Sequence, residues 1–256
     1  MLTVDAVYKR YGKQTALENV SLVIQPGEIV SLIGKSGSGK STLSRLILAL
    51  EKPTKGSIRW NDKDVYSLRG KCLYRNIQPV FQDNAGCFNP RRLIGDSLCD
   101  PMKYLLGLDV EMRKKRALEL IQMVDLSENI LQCYPHELSG GQQKRICIAR
   151  AISVRPKLLI LDEAVSGLDT TVMVKILELL KTLQLEIGCG ALFITHDIRA
   201  ALYMSKTISV MMDGRLVETV KNVHSPSDFT HPFSIELMKQ LQNKTFQGGR
   251  NEKDFF

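Results

Sequence analysis

The stretch Ile29-Val-Ser-Leu-Ile33-Gly34-Lys35-Ser36-Gly37-Ser38-Gly39-Lys40-Ser41-Thr42 decides how the rest of the chain is read. Ile29–Ile33 is a short, mostly apolar run that suits a buried strand. Beyond the loop, Leu43, Leu46, Ile47 and Leu50 recur at i, i+3, i+4 and i+7, which is one face of a helix. Between the two, Gly34–Ser41 fits G-x-x-x-x-G-K-[ST]. Glycines in such a loop let backbone N–H groups turn inward around a phosphate oxyanion. The helix that follows adds the positive end of its dipole. Lys40 is then expected to reach the β- and γ-phosphates of a nucleotide, and the Ser41 hydroxyl to ligate Mg²⁺. The strand before and the helix after separate this segment from an ordinary Gly-rich turn.

Working outward, Leu158–Leu161 is a second apolar strand, and it ends in Asp162-Glu163. Two carboxylates at the end of a buried strand stand at the sheet edge, where ligands sit in open α/β folds. Asp162 would hold Mg²⁺ through water, and Glu163 would orient or deprotonate an attacking water. Ala191–Thr195 reads as a third buried strand, and Asp213-Gly214 as the turn of a hairpin between Ile208–Met212 and Arg215–Thr219. Val20, Leu22 and Ile24 alternate with their neighbours before the Pro26-Gly27 turn, so the first part reads as β. Ala117, Leu120, Ile121 and Val124 share one helical face, another helix starts near Gly141 and runs through Ile152, and Val172, Ile176, Leu179, Leu180 and Leu183 stripe a long one. Short buried strands alternating with helices predict an α/β sheet. The helical middle, about residues 84–150, predicts an inserted subdomain.

The bulk properties narrow the partners. The 256 residues are 44% hydrophobic and 24% charged, ordinary for a globular chain. The +8 formal charge allows nucleic acid or an anionic membrane surface. Its densest run, Arg113–Arg116, falls inside a helical pattern and reads as a solvated face. No apolar run approaches the ~20 residues that span a bilayer, and the N-terminus has no apolar signal core. Any membrane role is therefore expected to work through partners. None of the six cysteines forms a C-x-x-C pair, which reads as reduced thiols in a cytosolic chain rather than a zinc site. Gln247–Asp254 is polar and aperiodic and is expected to be disordered or mobile.

Leu138-Ser139-Gly140-Gly141-Gln142 resembles the signature of ABC-transporter ATPases, and the following Gln143-Lys144-Arg145 is also typical of them. The resemblance runs from about residue 2 to residue 240. It implies a P-loop NTPase (RecA-like) core with an N-terminal antiparallel β subdomain and an inserted α-helical signature subdomain. On this pattern residues 1–222 form the ATPase domain and residues 223–256 a C-terminal extension. The implied ligands are ATP and Mg²⁺. Gly34, Lys35, Ser36, Gly37, Ser38, Gly39, Lys40, Ser41 and Thr42 match the phosphate loop, and Tyr11 the aromatic that stacks on adenine. Gln82, in Val80-Phe-Gln-Asp83, matches the residue that touches Mg²⁺ and senses the membrane partner. His196, in Thr195-His-Asp197, matches the switch histidine at the γ-phosphate. Ser139, Gly140, Gly141, Gln142 and Asp169 match positions that act in trans, across a head-to-tail dimer that sandwiches two nucleotides.

Finer features resemble the peptide/nickel importer branch: Asn89-Pro-Arg91 after the Gln82 stretch, and His231-Pro-Phe233 before a C-terminal helix. Asn76–Asp83, Pro101–Leu106 and Lys157–Ser166 resemble its nickel-type ATPase subunits, including Ala164-Val165 where relatives often carry Pro-Thr. Asn84 departs from the branch's frequent Pro without touching a catalytic position. The implied partners are two transmembrane permeases, a second ATPase subunit that is a paralogue rather than a copy, and, indirectly, an extracytoplasmic solute-binding protein. The implied location is peripheral, on the cytoplasmic face of the membrane. Cargo is expected to be nickel or a nickel chelate, with oligopeptides, dipeptides or another metallophore as alternatives. A soluble relative acting on nucleic acid is the reading from another class. The single cassette and the lack of room for a coiled-coil insertion weigh against it, so no nucleic-acid partner is expected.

Overall fold

The structure, a computed structural model, describes residues 1–82 and 85–245, so Asn84 and the polar tail fall outside the described residues. In chain order the elements are β1 (Leu2–Tyr11), β2 (Gln14–Ile24), β3 (Ile29–Ile33), α1 (Lys40–Ile47), β4 (Lys55–Trp60), β5 (Lys63–Asp64), α2 (Gly70–Asn76), β6 (Ile77–Val80), α3 (Ile94–Pro101), α4 (Val110–Met123), α5 (Gly140–Ile152), β7 (Leu158–Asp162), α6 (Thr170–Ile187), β8 (Gly190–Thr195), α7 (Ile198–Met204), β9 (Thr207–Met212), β10 (Arg215–Val220) and α8 (Pro232–Thr245). The chain divides into two compact units. One joins Met1–Ile24, Ile29–Asp64 and the segment from Leu192 onward, and the other joins Gln25–Glu28 to Val65–Ala191.

The first unit carries an antiparallel sheet in the order β2-β1-β4-β5. Leu2 pairs with Ile24 on one side and Trp60 on the other, and Val4 with Leu22 and Ile58. All six are buried, so one face of the sheet is core. The β1 register shifts between Val4 and Val7, which breaks its alternation. Beside this sheet the unit holds strands in the order β10-β9-β3-β8. β3 runs parallel to β9, with Val30 opposite Thr207 and Ile33 opposite Val210. β9 and β10 form the expected hairpin, Met212 opposite Arg215. Ile198, Ala201, Phe229, Leu237 and Met238 join Ile33, Ile208 and Val210 in a core that seats α7 and α8.

Helix α1 is shorter than its apolar spacing predicts. It ends at Ile47 because Ala49 adopts φ 54° and the Leu48 and Ala49 N–H groups close onto Ser44 O and Leu46 O. Leu50 is therefore outside the helix, and it is 53% exposed rather than in the core.

In the second unit β6 and β7 pair in parallel, Ile77 with Leu158 and Val80 with Leu161. α3, α4 and α5 fill the middle of the sequence, and Ala117, Leu120, Ile121 and Val124 are buried as their spacing predicts. α6 buries Ile176, Leu177, Leu180 and Leu183. Gln184 on the same face is also buried, and its amide donates to Gly27 O at 2.9 Å and Cys189 O at 2.7 Å. No helix among the described residues is long and apolar enough to cross a membrane.

Candidate functional site

The phosphate loop lies between β3 and α1 in the first unit. The α1 N-cap is Gly39, φ 109°, which offers no side chain to cap the first N–H groups of the helix. A first turn left uncapped by a side chain suits an anion of phosphate chemistry. A Cβ at Gly34 would meet Met211 O at 2.2 Å, and one at Gly39 would meet Ala16 O at 2.7 Å. The loop is thus pressed onto the strands behind it, and a hydrogen bond from Gly214 N to Ser38 O at 2.9 Å ties it to the β9–β10 turn. The buried Lys40 donates from Nζ to Gly34 O at 2.8 Å and Lys35 O at 2.9 Å. Its ammonium is held against the loop, at the place where the sequence reading puts the phosphates.

Two further expected residues share this unit. Tyr11 ends β1, 41% exposed, and its hydroxyl donates to Glu51. Burial and the Glu51 carboxylate together push the Tyr11 phenol above its usual range. The hydrogen bonds from Tyr11 and Lys9 hold Glu51 below the usual carboxylate range. His196 follows β8 and is exposed. Asp197 next to it caps α7, accepting from Arg199 N at 2.9 Å and Ala200 N at 3.2 Å. The sequence reading missed one contact. Lys35 of the loop pairs with Glu236 of α8 at 3.1 Å and lies over the Phe233 ring, 5.2 Å from its centroid. Only His231-Pro-Phe233 hinted at that helix, and nothing local linked it to the loop.

The second unit carries the remaining expected residues. Asp162 ends β7 and is buried, and Glu163 follows with φ 53°. Left-handed backbone is uncommon at a non-glycine residue, and at Glu163 it turns the chain directly after β7. Ser166 N donates to Glu163 O at 3.1 Å and closes that turn. Asp169 caps α6 by accepting from Val172 N at 3.0 Å. Ser139 and Gln142 cap the start of α5 reciprocally. Ser139 Oγ accepts from Gln142 N at 3.3 Å, and Gln142 Oε1 accepts from Ser139 N at 2.9 Å. Ser139 and Gly140 are exposed, so this end of α5 is presented outward. Gln82 follows β6 and is exposed, and its carbonyl and that of Phe81 face Lys144.

Two cavities open on the second unit. One, about 490 Å³, is lined by Phe81, Gly86, Cys87, Tyr104, Cys147 and Arg150. There the hydrogen bond with Cys87, with burial, pushes the Cys147 thiol far up. The larger, about 1020 Å³, is lined by Arg69, Lys71, Arg75, Lys115, Arg155 and Lys157 beside Leu105 and Met112. The basic run read as a plain solvated face thus also forms part of a cationic concavity.

Comparison with known proteins gives the following. A sequence profile of the family described as ABC transporter matches residues 17–166. The nickel import ATP-binding protein NikE of Escherichia coli O157:H7 is 45% identical over 213 residues, 82% of this chain and 80% of that protein. The ATP-binding cassette MJ0796, in a dimeric post-hydrolysis state bound to ADP and Pi, superposes with TM-score 0.78 and 34% identity, over 88% of this chain and 100% of that one. CbiO1 from Clostridium perfringens, part of the ABC transporter complex cbiONQ, gives TM-score 0.79 and 28% identity, over 96% of this chain and 94% of that one.

Proposed function

The chain belongs to the family of ABC transporter ATP-binding subunits, and from that premise we propose that it hydrolyses ATP to drive import of nickel, as the free ion or a chelate. The observation that carries the ATPase reading is the pair of helix starts: the Gly39 start of α1, bare of side chain, and the outward Ser139–Gln142 box that opens α5. The first suits phosphates held within the chain. The second suits phosphates presented by a partner ATPase subunit, which makes a head-to-tail dimer part of the reading. Likeness to NikE supports nickel as cargo.

In this mechanism Gly34–Thr42 wraps the phosphates through backbone N–H groups, and Lys40 exchanges loop carbonyls for β- and γ-oxygens. Tyr11 stacks on the adenine. Glu163 takes the proton of the attacking water, His196 contacts the γ-phosphate, and Asp169 acts across the dimer interface. Ser41 in the first unit and Asp162 and Gln82 in the second are the residues that would hold magnesium, which would supply charge neutralisation to the phosphates. The cavity beside Phe81 and Cys87 receives a cytoplasmic helix of a permease, so that dimer closure moves the membrane partner. A second, paralogous ATPase subunit completes the dimer, and the complex lies on the cytoplasmic face of the membrane.

The test is Glu163→Gln. ATP binding is expected to survive while turnover falls by about 10²–10⁴-fold, the usual worth of a general base. Uptake of radiolabelled nickel in a strain carrying only this variant is expected to vanish. Undiminished turnover refutes Glu163 as base. Normal nickel uptake with lost dipeptide uptake transfers the cargo to peptides.

A further inference from the structure

Lys144 is among the largest side chains in the protein with almost no exposure, 1%. A buried ammonium is costly unless polar atoms replace its water. Those atoms include two backbone carbonyls just past the end of β6. Lys144 Nζ donates to Phe81 O at 2.9 Å and approaches Gln82 O at 3.4 Å. Lys144 lies on α5, the helix that opens with the Ser139–Gln142 box. Farther along α5, Cys147 lines the same cavity as Cys87, and Arg150 Nη1 donates to Cys87 O at 2.6 Å. Residues 144, 147 and 150 recur every three positions along one side of the helix. That side of α5 therefore grips the segment leaving β6 at Phe81-Gln82 and again at Cys87.

We infer that Lys144 is a positioning residue for Gln82: its buried charge fixes the backbone on which Gln82 stands, and it makes that backbone follow any displacement of α5. The charge sets the strength of the link, because hydrogen bonds to an ionised donor are roughly twice as strong as neutral ones. The two carbonyls lie past the last strand residue, Val80, and so outside the β6–β7 ladder. Lys144 thus offers an event sensed at Ser139–Gln142 a route to the Gln82 backbone. The inference rests on the proposed role of Gln82 in hydrolysis.

Two experiments test it. In the full-length protein, Lys144→Met keeps length and apolar stem but removes the charge. Amide hydrogen exchange over Ile77–Gln82 and Gly86–Phe88 is expected to quicken at least about tenfold, while Leu158–Asp162 stays protected. Lys144→Arg, which retains ionised donors, is expected to restore most of the protection. Unchanged exchange in Lys144→Met overturns the inference. The second experiment uses Lys144→Gln, a smaller change that keeps a donor and is chosen in case Lys144→Met fails to fold. With the assembled transporter, its kcat is expected to fall severalfold with KM for ATP within about twofold. Combined with Gln82→Ala it is expected to add nothing further, because both changes break one linkage. Additive losses overturn the inference. If Gln82→Ala alone leaves turnover untouched, the assignment of Gln82 fails instead, and the exchange result still decides whether Lys144 holds its backbone.

Discussion

At Gly39 the backbone turns with φ 109°, a region L-residues rarely enter, and a Cβ there would meet Ala16 O at 2.7 Å and the Leu17 side chain at 2.8 Å. Gly39→Ala carries both costs, each on the order of 1–3 kcal/mol. The variant is expected to lower the midpoint of thermal unfolding and to weaken ATP binding at least tenfold, read by titration with a fluorescent nucleotide. Binding unchanged from wild type would show that the loop tolerates a shifted backbone. The placement of the loop between β3 and α1 and of Asp162-Glu163 at the end of β7 was legible in the sequence, because apolar runs mark both and glycines at fixed spacing mark the loop. Lys144 was not legible as a buried residue. A Lys-Arg pair in a helix reads as solvated, and only the fold brings the Phe81 and Gln82 carbonyls to its ammonium. The Lys35 contacts with Phe233 and Glu236 were hidden for the same reason, since they join residues far apart in the chain.

Among the elements, α5 opens with a cap formed by residues that are also proposed to bind. Ser139 Oγ and Gln142 Oε1 satisfy donors at the start of the helix, and the same two residues are proposed to meet a partner's phosphate. Ser139→Ala is expected to cost about 0.5–2 kcal/mol of stability as a lost cap. It is also expected to reduce turnover while leaving nucleotide affinity of the isolated chain unchanged, since the role proposed for the residue lies across the dimer. Calorimetry and binding on one preparation separate the two effects. A different dependence belongs to the segment leading into α8. Asp228 accepts from His224 N at 2.7 Å and Ser225 N at 3.0 Å, and Glu218 accepts from Thr230 N at 2.7 Å and His231 N at 3.2 Å. Backbone hydrogen bonds hold the Asp228 carboxyl below its usual range. Burial alone would raise Glu218, but its hydrogen bonds, those from Thr230 and His231 among them, together outweigh it and lower it too. With both values depressed on folding, their stabilisation is complete above the ordinary carboxylate range, near about 4, and is lost as pH falls through the lowered values. Exchange protection over 223–238 is expected to fall on acidification, and less steeply in Glu218→Gln. The strands β3, β7 and β8 were readable as apolar runs. β1 was not, because its register shifts after Val4 and polar residues interrupt its alternation.

For the whole molecule, the reading of two half-sites makes assembly depend on ATP. Glu163→Gln loaded with ATP is expected to sediment as a dimer in the presence of the proposed paralogous partner and as a monomer without either, by analytical ultracentrifugation. A stable dimer in the absence of nucleotide would contradict that dependence. Trp60, the chain's single tryptophan, is buried where β4 meets β1 in the first unit. Its emission therefore reports on one unit alone, whereas far-ultraviolet dichroism also sees α3–α6 of the other. Superimposable denaturant curves from the two signals would mean that the chain melts as one cooperative body, and a gap between them would measure how independently the second unit comes apart.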